Sequence, residues 1–162
     1  HRDLHSFPTR RSSDLLRKVL SAAIDLDAQA FDGILQARRL PKTDEAQQQA
    51  RTDAIYQATL HAARVPLETA GECFAVLRLA ARMAEIGNLN AISDAGAGAQ
   101  LALAAFRSAA LNVRINLLGL EADPEPARML AQLAELEGQV ALALQAVDEA
   151  LLKRAGLRAK LG

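Results

Sequence analysis

Two asparagines, Asn112 and Asn116, stand four residues apart in "LNVRINLL", inside an apolar run that otherwise reads as buried helix. That spacing stacks both amides on one helix face, and Ser108 extends the polar row by another turn. Asparagine is a mediocre helix former, and a buried amide without a partner costs roughly 1–3 kcal/mol. Such a pair either locks the register of packed helices or lines a cleft that hydrogen-bonds a polar heterocycle. A second concentration of donors and acceptors is "NLNAISDAG", with Asn88, Asn90, Ser93 and Asp94 together at a helix start. The helix dipole favours a carboxylate in a first turn whatever its role, so it is the company around Asp94 that marks it. The third feature is Asp27, seven residues from both Leu20 and Ile34 on a stripe expected to face the core. A carboxylate there pairs with a cation or stays protonated, and both situations concentrate at functional sites. Arg38, Arg39 and Lys42 of "RRLPK" are nearby cations, although a basic helix end is ordinarily just solvated.

Other chemistries find no support. His61 has no cysteine, histidine or acid at ligand spacing, so no metal site is expected. "GAGAQ" at 96–100 falls inside a helical pattern and reads as close packing, not as a phosphate cradle. Cys73, the sole cysteine, sits beside Phe74 on an apolar face and reads as a small buried thiol. It allows no internal disulfide and suits a reducing cytosol.

Helices must carry these residues. The first spans about 14–38, with Leu16, Leu20, Ala23, Phe31 and Ile34 as its stripe. "RRLPKTDE" breaks it, because the residue before Pro41 is biased away from helix. Thr43 is the expected N-cap of a second helix to about 63. Pro66 either kinks that helix or begins a third that runs to about 86. After the "GNLN" loop a fourth helix, capped by Ser93 or Asn90, is closed by Gly119. A fifth covers about 126–154, where Met129, Leu133, Leu136, Val140, Leu144, Val147 and Leu151 follow near-heptad spacing. The expectation is an all-α, antiparallel bundle of about five long helices.

The 162 residues fit one domain, and 51% apolar residues with only 3% aromatics favour helices packed through small side chains. Nineteen basic and nineteen acidic residues balance, which argues against a nucleic-acid coat. No apolar stretch reaches the roughly 18 residues of a membrane span. The opening "HRDLHSFPTRRSSDL" has no apolar signal region and looks like translated adapter sequence. Residues 1–15, with His1 and His5, are therefore set aside as a non-native leader, leaving 16–162 as the domain.

"DAQAFDGILQARRLPK", "VPLETA" and "GNLNAISDAGAGAQLALAAFRSAALNVRINL" closely resemble, in order and spacing, the cyclodeaminase/cyclohydrolase family. This family includes formiminotetrahydrofolate cyclodeaminases and bacterial methenyltetrahydrofolate cyclohydrolases. The likeness covers about 16–152. The family's Pro/Gly-rich opening turn and Ala-rich first helix have no counterpart here. The resemblance implies a cytoplasmic homodimer acting on a tetrahydrofolate derivative, with no tightly bound cofactor. N10 of 5-formiminotetrahydrofolate attacks the formimino carbon and ammonia leaves, giving the 5,10-methenyl compound. It further implies Asp94, with Asp27 second, as the proton-handling acid. Asn112 and Asn116 would hold the pterin, and Asn88, Asn90 and Ser93 would complete the polar wall. Lys42 and Arg114 would meet the glutamate tail, unless Arg114 serves a subunit interface. Two rivals remain: hydrolysis of the methenyl compound, and a non-catalytic dimerisation scaffold. A scaffold should satisfy Asp94, Asn112 and Asn116 each inside a closed, dry core, whereas an enzyme should gather at least Asp94 and one asparagine in a common concavity. The three in separate compartments would count for the scaffold.

Overall fold

The computed structural model describes residues 8–158. The first seven residues of the stretch set aside, with His1 and His5, lie outside them. Four helices occur among the described residues: α1 (Pro8–Arg38), α2 (Glu45–Ile86), α3 (Ile92–Asn116) and α4 (Pro124–Ala155). A 3-10 turn, Leu89–Ala91, leads into α3. No strand is present among the described residues. The bundle is built around α2, which packs against each of the other three helices.

Two expected helices are one because α2 continues through Pro66. Proline has no N–H to donate to the carbonyl four residues before it, which is that of Ala62. Asn116 Nδ2, from α3, donates to that carbonyl at 2.9 Å. The gap in the backbone ladder is thus filled from a neighbouring helix, and Pro66 itself is buried in the packing.

The N-cap of α2 is Asp44, one residue beyond the expected Thr43. Its carboxylate accepts from the Gln47 amide at 2.8 Å, while Gln47 Oε1 accepts from the Thr43 amide and hydroxyl at 3.1 and 2.7 Å. This reciprocal arrangement is a relative of the capping box. At the far end of the bundle Gly156, at φ 68°, closes α4. Gly119, at φ 84°, turns the chain after α3, which ends at Asn116.

The core combines Leu77, Val113, Leu117, Leu133, Val147 and Leu151 with alanines that bring the helices close. "GAGAQ" packs as expected, since a Cβ on Gly96 would stand 3.3 Å from Leu151. Helix α1 behaves differently from its expected stripe. Phe31 is 60% exposed, and Asp27 is exposed instead of facing the core. The reason is that α1 packs chiefly on α2, with Leu20 against the main core and Ala30 and Ile34 meeting Ala62 and Val65. Another unexpected surface lies on α3, where Leu101, Leu111, Ile115 and Leu118 are 64–74% exposed.

Candidate functional site

Between the N-terminal half of α1, the C-terminal half of α2 and the start of α3 lies a cleft of about 690 Å³. That size falls within the roughly 300–1,000 Å³ of small-molecule sites. Leu16 and Leu20 of α1 form one wall, and Val76, Leu79 and Met83 of α2 form another. Asp94 and Asn88 enter from the α2–α3 junction, and Arg17 with Ser21 enters from α1. An apolar slot with a few convergent polar groups suits a flat heterocycle bearing a polar edge.

The junction is built so that this polar edge is held in place. Asn88 caps the 3-10 turn, its side chain accepting from the Asn90 amide at 3.0 Å. Gly87 must lack a side chain, because a Cβ there would meet the Met83 carbonyl oxygen at 2.4 Å. Arg154 reaches across from α4 and donates to the Ala84 and Gly87 carbonyls at 2.6 and 2.8 Å. Those are carbonyls at the end of α2, which a guanidinium satisfies well in both hydrogen bonding and dipole. Asp94 follows in the first turn of α3.

The expected site residues divide into groups. Asp94 and Asn88 share the cleft, which places the acid and an asparagine in one concavity. Asn90 is exposed in the adjoining turn, and Ser93 faces a separate shallow groove beside Leu151. Asn112 is exposed and Asn116 is committed to the Ala62 carbonyl, both toward the other end of α3. At 1.5 Å per residue, Asn112 is about 27 Å along the axis from Asp94 and Asn116 about 33 Å. Asp94, Asn112 and Asn116 therefore lie apart within one chain, as a scaffold would have them, but Asp94 and Asn112 are exposed and not sealed in a dry core. Lys42 is exposed in the loop beyond the far end of α1. Arg114 ties α3 to α4 through both Glu137 oxygens, at 2.8 and 2.9 Å. Asp27 stays on the open face of α1, outside the cleft.

Arg17, Ser21 and Ser13 of the cleft were missed, although a signal existed. They recur every fourth residue, beside the Leu16 and Leu20 row. Ser13 belongs to the stretch set aside as a leader. Arg154 left no signal, since a basic residue in a last helical turn has an ordinary explanation. The groups with displaced pKa values lie elsewhere. Burial, followed by the Glu72 charge, pushes the Cys73 thiol up. Backbone amides of Glu121 and Gly119 hold the exposed Glu121 carboxyl below its usual range. Among the described residues no three His, Cys, Asp or Glu side chains are grouped to hold a metal. No described helix is long and apolar enough to cross a membrane.

Comparison with known proteins gives a consistent picture. The profile of the family described as formiminotransferase-cyclodeaminase matches residues 8–135. A methenyltetrahydrofolate cyclohydrolase of Methylorubrum extorquens is 43% identical over 129 residues, covering 80% of this chain and 61% of the relative. The rat formimidoyltransferase-cyclodeaminase is 30% identical over 133 residues, covering 80% of this chain and 25% of that protein. The crystal structure of a formiminotetrahydrofolate cyclodeaminase from Thermotoga maritima superposes with a TM-score of 0.73 at 26% identity. It covers 86% of this chain and 66% of the other. The chain thus spans a quarter to two thirds of the length of these relatives.

Proposed function

The chain belongs to the formiminotransferase-cyclodeaminase family, and on that footing we propose that its cleft works on the one-carbon unit bridging N5 and N10 of tetrahydrofolate. The observation carrying this reading is that Asp94 and Asn88 open into one apolar-walled cleft. Leu20, Leu79 and Met83 flank the pteridine and aminobenzoyl rings, Asn88 hydrogen-bonds the heterocycle, and Arg17 meets the carboxylates of the tail. Arg17 takes the place expected for Lys42, which lies beyond the opposite end of α1. Arg114 is engaged with Glu137 and plays no part in binding within this subunit.

Two family reactions share the 5,10-methenyl compound, one forming it with loss of ammonia and the other consuming it with water. The 43% identity to a cyclohydrolase, against 30% to the rat bifunctional protein, favours hydrolysis over the deamination that the resemblance first implied. In hydrolysis Asp94 takes a proton as water adds to the methenyl carbon. It returns the proton to N5 as the carbon–N5 bond breaks, and the adduct's hydroxyl proton is released to solvent as the formyl C=O forms, leaving 10-formyltetrahydrofolate. In deamination the same carboxyl moves the N10 proton to the departing ammonia. Holding the ligand folded supplies the near-attack geometry in both cases.

Supplying 5,10-methenyl- and 5-formiminotetrahydrofolate separately and following methenyl absorbance tests the assignment. Hydrolysis predicts enzyme-dependent loss of absorbance with the first and no gain with the second. The reverse pattern identifies a deaminase. Asp94→Asn should lower turnover by about 10²–10⁴-fold, the usual contribution of a positioned acid or base. Because Asp94 is exposed, its helical circular dichroism should be unchanged. Full activity in that variant would remove Asp94 from the mechanism.

A further inference from the structure

The two glycines of "GAGAQ" part company in the structure. A Cβ on Gly96 would crowd Leu151 at 3.3 Å, so close packing accounts for that one. Gly98 has no such reason, for nothing stands within 4 Å of where its Cβ would be. Glycine is also a poor choice inside a helix, where alanine loses less chain entropy. What Gly98 does have is a place on the wall of the cleft, half-buried and one turn beyond Asp94.

At 1.5 Å per residue, Gly98 lies about 6 Å along α3 from Asp94, on nearly the same face. Helical side chains lean toward the N-terminus and cover the turn before their own Cα. A side chain at position 98 would therefore lie over Asp94 and Ala95, both of which line the cleft. Ala95 ends in a methyl and Gly98 has no side chain at all. Among the described lining residues, the Asp94 carboxylate is thus the one group larger than a methyl that α3 sends into the cleft.

We propose that Gly98 sets the width of ligand that the cleft accepts. The side chain it lacks is the room in which the edge of a fused heterocycle comes down to the Asp94 carboxylate. Gly98 is a specificity-determining residue and not a catalytic one, since it offers no group to the reacting carbon. The inference rests on the folate reading for the identity of that heterocycle. A methyl at position 98 leaves the room open, because no surrounding atom is in contact with it. A leucine side chain fills the room from the α3 side and meets the ligand before Asp94 can.

Calorimetric titration of the full chain with 5-formyltetrahydrofolate tests this, using wild type, Gly98→Ala, Gly98→Leu and Gly98→Gln. Gly98→Ala should bind about as tightly as wild type. Gly98→Leu and Gly98→Gln should each bind roughly tenfold more weakly or worse, the order expected when a side chain is forced into space that must stay free. Both should keep the wild-type helical circular dichroism and melt no lower, since each puts a better helix former into open space. Gly138→Leu is the control. It makes the same exchange at an exposed position of α4, with nothing within 4 Å and outside the cleft, and should leave binding unchanged. A Gly98→Leu chain that binds as tightly as wild type overturns the inference and leaves the folate reading standing. Equal losses in Gly98→Ala and Gly98→Leu overturn it too, because a methyl has the space. A matching loss in Gly138→Leu assigns the effect to an added leucine anywhere and has the same consequence. A wild type that keeps its helical dichroism and does not bind the probe removes the folate reading itself.

Discussion

At the level of single residues, Asn116 shows how an unusual amide can be legible while its purpose is not. Its place in an apolar run marks it, but the group it serves is a carbonyl 54 positions away, orphaned by Pro66. Register between α2 and α3 is what brings the two together, and no local pattern encodes that. Asn116→Leu should cost about 1–3 kcal/mol in urea denaturation, because the Ala62 carbonyl is left unpaired. Pro66→Ala restores an internal donor, so Asn116→Leu should cost clearly less in that background. Equal costs in both backgrounds would show that the hydrogen bond is not what Asn116 contributes. Asn112, four residues earlier, is exposed and shares no such duty. Cys73 gives a pH prediction. Its folded thiol has a raised pKa, so its stabilising contribution is complete below the unfolded thiol's pKa and declines as pH rises through the folded value. Cys73→Ala should flatten the alkaline fall in melting temperature.

At the level of elements, the four helices are mostly where periodicity puts them, and α4 matches its expected span within two residues at each end. The bend after Arg38 and the polar turn before α3 were equally legible, since proline, glycine and asparagine act locally. What could not be read is which face each helix buries. Asp27 looked internal from its seven-residue spacing to Leu20 and Ile34, whereas α1 packs chiefly on α2 and leaves Asp27 exposed. The cleft is similarly a product of assembly, for its acid, its amide and its cation come from different elements. Arg154 makes the junction dependent on α4. Arg154→Ala should cost about 1.5–3 kcal/mol in denaturant unfolding, the range for hydrogen bonds from a charged donor. It should also raise KM for the folate more than it lowers kcat, because Gly87 and Asn88 lose their anchor. An unchanged KM would confine Arg154 to stability.

At the level of the whole molecule, α2 holds α1, α3 and α4 but leaves an apolar face of α3 uncovered, and the polar residues with the most evident chemistry sit at its two ends. Residues 1–15 test the other boundary of the domain. Those described with side chains are exposed, so deleting the stretch should leave the melting temperature within a few degrees of the full chain. A large loss would make the stretch part of the fold, in which Ser13 lines the cleft. The decisive observation is a crystal structure with 5-formyltetrahydrofolate bound. The expected result is a pteridine between Leu20 and Leu79, with the Asp94 carboxylate within hydrogen-bonding distance of N5 or N10. A folate found only where Asp94 cannot touch it, with that cleft empty, would contradict the proposed site.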